Sequence, residues 1–346
     1  MRSPQVKGAA IGLGAALLFG FSMPVAKLLL PASGPFMMAG LLYLGSGLGL
    51  VALRPFLPRH REAPLRRSDA APLLGVVLAG GVIGPVLLMF GLGRLPGASA
   101  SLLLNLEAPF TIGLAVIVFG ESLERAEVAG AAAVVAGAAA LGLQGQLGEV
   151  HALGALGVAG ACFAWAVDNN LSQRLSLHDP VAIVRIKSIV AGSANVLLAY
   201  AVGERLPGGR ALAGALATGF LGFGVSIVLH LRAMREVGAA RQAAFFATAP
   251  FAGALASVPL LSERLSSQAV WAALVMALGV VVMLRVRHAH GHVHEALEHE
   301  HAHAHDEHHR HLHEEGVSES HSHPHVHAAL AHDHPHLPDA HHRHRH

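Results

Sequence analysis

Apolar residues in this chain are grouped into long runs that are separated by short polar or charged breaks, from about residue 8 to residue 285. An α-helix rises 1.5 Å per residue, so about 20 apolar residues cross the hydrocarbon core of a bilayer. The runs have that length, whereas strands of a membrane barrel need only about 10 residues. Because backbone polar groups cannot be left unpaired in lipid, the pattern predicts an all-α integral membrane protein.

The breaks divide the apolar region into ten predicted transmembrane helices. Their approximate bounds are Gly8–Leu30, Ser33–Leu53, Pro72–Leu92, Gly97–Phe119, Val128–Gln144, Ala152–Leu171, Pro180–Val202, Ala211–Met234, Gln242–Leu261 and Ala269–Leu284. The first run is followed at once by another, so it is predicted to be a retained span rather than a cleaved signal.

Composition agrees with a membrane protein and excludes several other classes. Of the 346 residues, 53% are hydrophobic and only 13% are charged, whereas a soluble domain has about a quarter of charged residues. The single cysteine, Cys162, lies in an apolar run, so no disulfide framework is predicted. We find no enzyme motif and no nucleic-acid motif, so neither catalysis nor nucleic-acid binding is expected.

Lysine and arginine in the short loops indicate the orientation. With a cytoplasmic N-terminus, most of the basic residues lie inside, and the outer side holds only Lys27, Arg94, Arg205, Arg210 and Arg264. The positive-inside rule therefore predicts that both termini are cytoplasmic. A bacterial inner membrane is the expected location.

The chain contains an internal repeat. The segment GRLPGASASLLLNLEAPF (residues 93–110) aligns with MREVGAARQAAFFATAPF (residues 234–251), and GESL (residues 120–123) aligns with SERL (residues 262–265). A weaker match pairs GAALLFG from Gly14 with GACFAWA from Gly160. Five spans per copy is an odd number, so the second copy is predicted to be inverted in the membrane. Inverted repeats are typical of secondary transporters that work by alternating access.

These residues resemble a known family. The segment ASLLLNLEAPFTIGLAVIVFGESLERAEVAGAAAVVAGAAAL (residues 100–141) is similar to the end of an EamA repeat of the drug/metabolite transporter superfamily, and residues 250–284 resemble its second copy. The resemblance implies repeats at 8–144 and 152–287 and a ten-helix exporter or importer of small metabolites, with a central cavity. The chain departs from the family pattern in its second span, MMAGLLYLGSGLG (residues 37–49), which lacks the usual arginine.

Two prolines and a glutamate are candidates for a transport site. Pro109 and Pro250 occupy matching places in the repeat, and each removes a backbone hydrogen bond. They predict broken helices that present backbone to a substrate, with two packing kinks as the alternative. Glu107 is predicted to lie deep in the fourth span, where it could exchange a proton or pair with a cationic substrate. A structural hydrogen bond to a neighbouring helix, involving Asn105, is the alternative for Glu107.

The sixth span ends in CFAWAVDNNLSQRLS (residues 162–176), in which Asp168, Asn169 and Asn170 follow Trp165. The oxygen atoms of these side chains could bind a cation or an ammonium group. Alternatively, the residues approach the cytoplasmic interface and bind no ligand. His230 in the eighth span either titrates near neutrality or is an interfacial side chain.

After residue 287 the chain becomes a histidine-rich tail. Of the 27 histidines, four stand at positions 60, 151, 178 and 230, which leaves 23 in residues 288–346. The tail has few bulky apolar residues and is therefore predicted to be disordered. Neutral imidazoles bind Zn, Ni, Co and Cu, although no cofactor is required for transport. The predicted metal ligands are His288, His290, His292, His294, His299, His301, His303, His305, His308 and His309.

Three functions remain open at this point. We favour a secondary transporter of a small metabolite, an exporter in the favoured version, with a cytoplasmic metal-binding tail. The alternatives are a Zn, Ni or Co efflux carrier fed by the tail, and a membrane-anchored protein that sequesters metal. The expected partners are the lipid bilayer, a small-molecule substrate, metal ions and, as an open alternative, a second copy of the chain in a homodimer.

Overall fold

The structure is a computed structural model that describes residues 4–56, 67–119, 124–142, 149–172, 175, 179–237, 239–285, 289–294, 297–303, 321–327 and 330–335. We number its long helical segments α1 to α10. Six of them are continuous α-helices: α1 (Pro4–Leu29), α2 (Pro35–Leu53), α5 (Arg125–Gly142), α6 (Glu149–Ser172), α7 (Pro180–Ala201) and α10 (Ser267–Arg285). Short 3₁₀ turns lie at Leu30–Ala32, Arg54–Phe56 and Arg67–Asp69.

The other four segments are interrupted. The α3 segment consists of Ala70–Val76, a π-helical stretch Val77–Ile83, and Gly84–Leu92. The α4 segment consists of Gly97–Leu103, a 3₁₀ turn Leu104–Leu106, and Glu107–Phe119. The α8 segment consists of Gly209–Gly219, a π-helical stretch Phe220–Val225, and Ser226–Val237. The α9 segment consists of Ala239–Phe246 and Ala249–Leu261, with two turn residues between them.

Nine segments of the described residues are long and apolar enough to cross a membrane. The prediction of a helical integral membrane protein is therefore confirmed. The predicted fifth span, Val128–Gln144, is present as helix α5 but is not one of these nine. Ten transmembrane helices thus stay a prediction.

Helices from the first five segments pack mainly on helices from the last five. The α2 helix packs on α7, α5 on α10, and α4 on α9. The α1 helix packs on α8 and α9, and α6 packs on α3 and α4. The α2 helix also contacts α8, just as α7 contacts α3.

Glycines allow two of these helices to approach until backbone meets backbone. The α-carbon of Gly45 on α2 lies against the backbone of Leu216 on α8, and that of Gly219 lies against the carbonyl of Leu42. A methyl group at either glycine would overlap the opposite carbonyl group. Small residues at this contact therefore set the distance between the two helices.

The π-helical stretches occupy corresponding places in the two halves but face different side chains. In α3, Gly80 lies against the carboxylate of Asp168 on α6, whereas in α8, Gly222 lies against Ser22 on α1. The Ser22 hydroxyl donates to the carbonyl of Phe19 on its own helix, at 2.6 Å. One stretch therefore has a charged neighbour and the other has a neutral neighbour.

Two glutamates from the second half cap helices of the first half at one end of the bundle. The Glu204 carboxylate accepts hydrogen bonds from the backbone N–H groups of Phe36 and Met37, at 3.3 and 2.7 Å. The Glu263 carboxylate accepts them from Gly97 and Ala98, at 2.6 and 3.0 Å. Both carboxylates satisfy unpaired N–H groups at the positive end of a helix.

The described residues of the C-terminal tail form four strands in two antiparallel pairs. Strand β1 (Ala289–His294) pairs with β4 (Leu330–Pro335), and β2 (Leu297–His303) pairs with β3 (His321–His327). The alternation of histidine with other residues matches the two-residue period of a strand, and disorder of the tail as a whole stays a prediction. The remainder of the tail, and every side chain of the predicted metal ligands, lies outside what the structure describes.

Candidate functional site

The π-helical stretch of α3 is held by polar side chains from three other helices. The Tyr43 hydroxyl and the Trp165 indole N–H both donate to the carbonyl of Gly80, at 2.7 and 3.1 Å. The Asn195 amide donates to the carbonyl of Gly81, at 3.1 Å. Helices α2, α6 and α7 therefore meet α3 at its widened turn. Such π-helical turns are often found at functional sites.

An ion pair lies beside this turn. Asp168 on α6 pairs with the ammonium group of Lys187 on α7 and accepts a hydrogen bond from the Ser172 hydroxyl, at 3.2 Å. Both side chains are largely buried, with 16% of Lys187 and 8% of Asp168 exposed. The absence of a side chain at Gly80 makes room for the carboxylate, since a Cβ there would overlap it.

Two spans give different positions for the pair. The span Ala70–Leu92 has 23 residues, and Gly80, on which Asp168 lies, is near its centre. Asp168 itself lies four residues before the end of its own span, His151–Ser172. The interior and the interfacial placement of Asp168 therefore both stay predictions, as does its role as a ligand.

Glu107 and Asn169 form a second polar group between α4 and α6. The Asn169 amide donates to the Glu107 carboxylate at 2.7 Å and to the Thr111 hydroxyl at 3.4 Å. Next to it, the Asn170 amide donates to the carbonyls of Thr111 and Ala166, at 3.2 and 2.8 Å. Glu107 therefore has a neutral hydrogen-bond partner on the neighbouring helix.

Asn105 does not take the role that the sequence suggested for it. Its amide donates to the carbonyl of Leu102 on its own helix, at 2.9 Å. The thiol of Cys162 lies 3.6 and 3.8 Å from the carbonyls of Leu103 and Leu104. Both side chains therefore contact backbone carbonyls in or just before the 3₁₀ turn of α4. The hydrogen bond to Glu107 comes from Asn169 instead.

The two prolines each lie in the first turn after an interruption of a helix. Pro109 follows the turn Leu104–Leu106 in α4, and Pro250 follows the turn at residues 247–248 in α9. The helix that carries Pro250 packs mainly on α1 and on the first part of α4, whereas Glu107 begins the part that packs on α6. The structure therefore places Glu107, Trp165, Asp168 and Asn169 together on α6 or at its contact with α4. Pro250 lies elsewhere, on the helix that packs against α1 and the first part of α4.

His230 is part of a separate contact near the end of α8. Its ring nitrogen Nδ1 is 3.0 Å from the side-chain amide of Gln242, and its ring meets that of Phe246 edge-on, with the centroids 4.7 Å apart. Gln242 is fully buried. His230 thus packs against α9 and takes no part in the group around Gly80.

Three important side chains of the site were missed by sequence reasoning. Lys187 was not proposed as a site residue, yet it lies within helix α7 and pairs with Asp168. Tyr43 and Asn195 were not considered. A signal for Lys187 was available, because a lysine inside a predicted span marks a functional site by default. The glycine pair at positions 80 and 81, in the middle of the third predicted span, was a second signal.

Two buried acceptors at the site have no hydrogen-bond partner. These are the Oδ1 atoms of Asn170 and Asn195, whose residues are 6% and 0% exposed. Among the described residues, no group of three or more His, Cys, Asp or Glu side chains is arranged to hold a metal ion.

A helical bundle in which nine described segments are long and apolar enough to cross a membrane is the architecture of a polytopic membrane protein. The chain belongs to the EamA-like transporter family, which it matches over residues 6–143 and 152–285. The resemblance found in the sequence is thereby confirmed.

Curated relatives are also transporters. An uncharacterized transporter of Methanothermobacter thermautotrophicus is 30% identical over 287 residues, which is 78% of this chain and 83% of the relative. The inner membrane transporter YedA of Escherichia coli is 27% identical over 277 residues, or 77% of this chain and 85% of YedA. A protein of Salmonella typhimurium named "Probable amino-acid metabolite efflux pump" is 28% identical over 194 residues, or 55% of this chain and 60% of that protein.

A crystal structure with 22% sequence identity superposes on this chain with a TM-score of 0.60, and the match covers 81% of this chain and 98% of the other. The likeness shows that the fold is shared.

Proposed function

We propose that this protein is a secondary transporter that exports a small metabolite by alternating access. The observation that carries the proposal is the pattern of contacts between the halves. We exchange each helix of the first half with the helix five places later, so that α1 changes places with α6, α2 with α7, and so on. The contact of α1 with α8 then becomes that of α6 with α3, the contact of α1 with α9 becomes that of α6 with α4, and the contact of α2 with α8 becomes that of α7 with α3. All six contacts are present. The contacts of α2 with α7, of α4 with α9 and of α5 with α10 are unchanged by this exchange. This exchange is what a two-fold axis between two five-helix repeats produces.

An odd number of spans in each repeat supports inversion of the second repeat relative to the first. In an inverted pair, the contacts that close one end of the bundle have counterparts that close the other end. Rocking of one repeat against the other then exposes a central site to each side in turn. The polar group around Gly80 is our choice for that site, because it lies beside the centre of the span Ala70–Leu92 and contains the ion pair of Asp168 and Lys187.

Export is favoured by the printed name of the Salmonella relative, "Probable amino-acid metabolite efflux pump". We extend that direction and a small organic substrate to this chain. The protein is then placed in the inner membrane with both termini in the cytoplasm, as the distribution of lysine and arginine favours. Glu107 is our candidate for the exchange of a proton during the cycle.

We further propose that the tail binds Zn, Ni, Co or Cu in the cytoplasm beside the carrier. The high density of histidine in residues 288–346 supports this role. Efflux of the same metals is the second candidate function, and the tail is the observation that favours it. Metal sequestration on a passive anchor is the third and weakest candidate, because a single span would anchor a tail.

The test compares three kinds of cells: cells that lack the protein, cells that express the whole chain, and cells that express a chain stopped after Arg287. Metabolites and metals are measured inside the cells and in the medium. We expect a small metabolite to accumulate in the medium with both the whole and the shortened chain. Unchanged media would overturn the transport proposal, whereas a change in Zn, Ni or Co alone would establish metal efflux. An alkaline phosphatase fused after Arg287 should stay inactive if the tail is cytoplasmic.

A further inference from the structure

We propose that Lys27 and Glu263 form a latch that closes one end of the transport pathway and opens in every transport cycle. Both side chains hold the short loop between α3 and α4 (residues 93–96). We call the end of the bundle that carries this loop the capped end. The inference rests on the proposed transport function and names residues that control access to its site.

The two charged side chains bind the two helices that the loop joins. The Lys27 ammonium group on α1 donates to the carbonyls of Leu92 and Leu95, at 2.7 and 2.5 Å, where α3 ends. The Glu263 carboxylate, just after α9, accepts from the first N–H groups of α4. A cation at the C-terminus of a helix and an anion at the N-terminus are both favourable positions. One charge of each sign therefore fixes the loop.

The latch joins two separate groups of helices. The α1 helix packs on α8 and α9, whereas α6 packs on α3 and α4. The exchange of repeats converts the first group, α1, α8 and α9, into the second, α6, α3 and α4. Lys27 belongs to the first group and Glu263 directly follows it, but both bind the loop of the second. Movement of one group against the other at the capped end must therefore break these contacts.

The two parts of α4 show that the capped end is the closed end. Every residue from Gly97 to Leu106 is buried, whereas Ala115 alone is buried among residues 107–118. The second part of α9 covers the first part of α4. The exchange would place the first part of α9 on the second part of α4. Among the described residues, these two parts pack mainly on other helices, α1, α8 and α10 for α9, and α5 and α6 for α4.

The caps of α2 and α7 show the same difference between the two ends. At the capped end, Glu204 from the second half binds the first N–H groups of α2. The helix that corresponds to α2 in the exchange is α7, which begins at the opposite end. Its N–H groups at Val181 and Ala182 donate to Asp179, the residue just before the same helix, at 2.9 and 3.2 Å. The cap across the two halves is thus present for α2 and is replaced by a local cap in α7.

The chemistry of the latch makes it reversible. Lys27 and Glu263 are both partly exposed, and their partners are backbone groups at the ends of helices. Water can bind the same ammonium, carboxylate, N–H and carbonyl groups when the loop moves away. An apolar seal has no such replacement, because its separated surfaces would face water. The latch can therefore hold one state without preventing the other.

Thiol labelling of the full-length protein in detergent tests the latch without a known substrate. The single cysteine is first replaced by Cys162→Ser. One probe is Ser101→Cys, because Ser101 is 1% exposed and lies four residues after Gly97 under the capped end. The other probe is Ala108→Cys, because Ala108 is exposed in the second part of α4. A water-soluble maleimide is used to measure the labelling rate of each probe.

The decisive variant is the double substitution Lys27→Met with Glu263→Gln, which removes both charges and leaves neither without its counterpart. We expect the Ser101→Cys probe to react about tenfold or more faster, since two capping contacts no longer favour the closed state. The Ala108→Cys probe should react more slowly, because the opposite end closes when the capped end opens. Glu263→Gln alone keeps one acceptor oxygen and should cause smaller shifts in the same directions.

Arg264→Gln is the matched control, because it neutralises the exposed residue next to Glu263, and it should leave both rates unchanged. Circular dichroism shows that each variant is folded. An unchanged rate at the Ser101→Cys probe in the folded variants would refute the latch. Faster labelling of both probes would also refute it, because the two side chains would then only stabilise the bundle. The transport function is judged separately by the metabolites in the medium, so the two failures are distinguishable.

Discussion

The α-carbon of Gly80 on α3 lies directly against the carboxylate of Asp168 on α6, so that a single added methyl group would displace a buried ion pair. Gly80→Ala should therefore lower the free energy of unfolding by about 1–3 kcal/mol, as overpacking does in well-packed interiors. The matched control is Gly14→Ala on α1, because nothing lies within 4 Å of a Cβ there. That change should be neutral or stabilising by up to about 1 kcal/mol, since alanine favours a helix. Thermal unfolding in detergent measures both, and equal effects of the two substitutions would contradict the contact.

Cys162 provides the readout for such experiments. It is the single cysteine of the chain, it is fully buried, and its thiol lies against the 3₁₀ turn of α4. We expect a thiol-reactive fluorophore to label the folded protein very slowly and to label it rapidly once the bundle opens. Labelling against temperature should give the same midpoint as circular dichroism. Rapid labelling at low temperature would show that α4 does not cover this thiol.

The Glu263 cap should contribute to the contact between the two repeats. Glu263→Ala leaves the N–H groups of Gly97 and Ala98 without their acceptors, and loss of a helix cap costs about 0.5–2 kcal/mol. Glu263→Gln keeps one acceptor oxygen and should cost less. The control is Arg264→Ala, which changes the exposed neighbouring residue. We expect the unfolding temperature to be lowest for Glu263→Ala, higher for Glu263→Gln and highest for the wild type. An unchanged unfolding temperature in Glu263→Ala would refute the role of the cap.

Glu107→Gln separates charge from hydrogen bonding. Glutamine keeps the oxygen that accepts from Asn169, so the unfolding temperature should stay within a few degrees of that of the wild type. If Glu107 exchanges a proton, export of the metabolite found in the medium should fall by about tenfold or more, since proton transfer is removed. Glu236→Gln, at the exposed end of α8, removes a charge far from the site and serves as the control. Unchanged export by folded Glu107→Gln would remove this residue from the transport pathway.

Metal binding should belong to the tail alone. The whole chain should bind several zinc ions by calorimetry, and a chain stopped after Arg287 should bind none. Because only the neutral imidazole is a ligand, binding should weaken as the pH falls through about 6.5. Zinc bound with equal strength by the shortened chain would place the metal in the bundle instead. Export of the metabolite should persist without the tail.

Helix positions could be predicted because lipid imposes a simple rule on the sequence. The predicted fourth span, Gly97–Phe119, begins and ends where the helical segment does, and the predicted first span, Gly8–Leu30, differs from Pro4–Leu29 by only a few residues. The ends differ because polar residues such as Gln5 and Lys7 continue a helix beyond the apolar core. Hydropathy detects the lipid-facing length, whereas hydrogen bonding sets the true end.

The centre of the site was less accessible to sequence reasoning. Asp168 and Asn169 stand out as polar residues in an apolar run, so the α6 contribution could be predicted. The partners could not, because Lys187 and Gly80 meet Asp168 only through the packing of α7 and α3. A π-helical turn also has no sequence period of its own, so its exposed carbonyls and the side chains that bind them become visible only in three dimensions.

The unequal neighbours of the two π-helical turns have a consequence for how this molecule diverged from its duplicated ancestor. Gly80 faces an acid and Gly222 faces a serine, although each glycine lies in the π-helical stretch of its segment. Both segments therefore keep a widened turn, but the turn of α3 has a charged side chain beside it and the turn of α8 has a neutral one. For protein engineering, this means that the charge beside the turn of α3 can be changed within α6 and α7 while the contacts of α8 with α1 and α2 are left untouched.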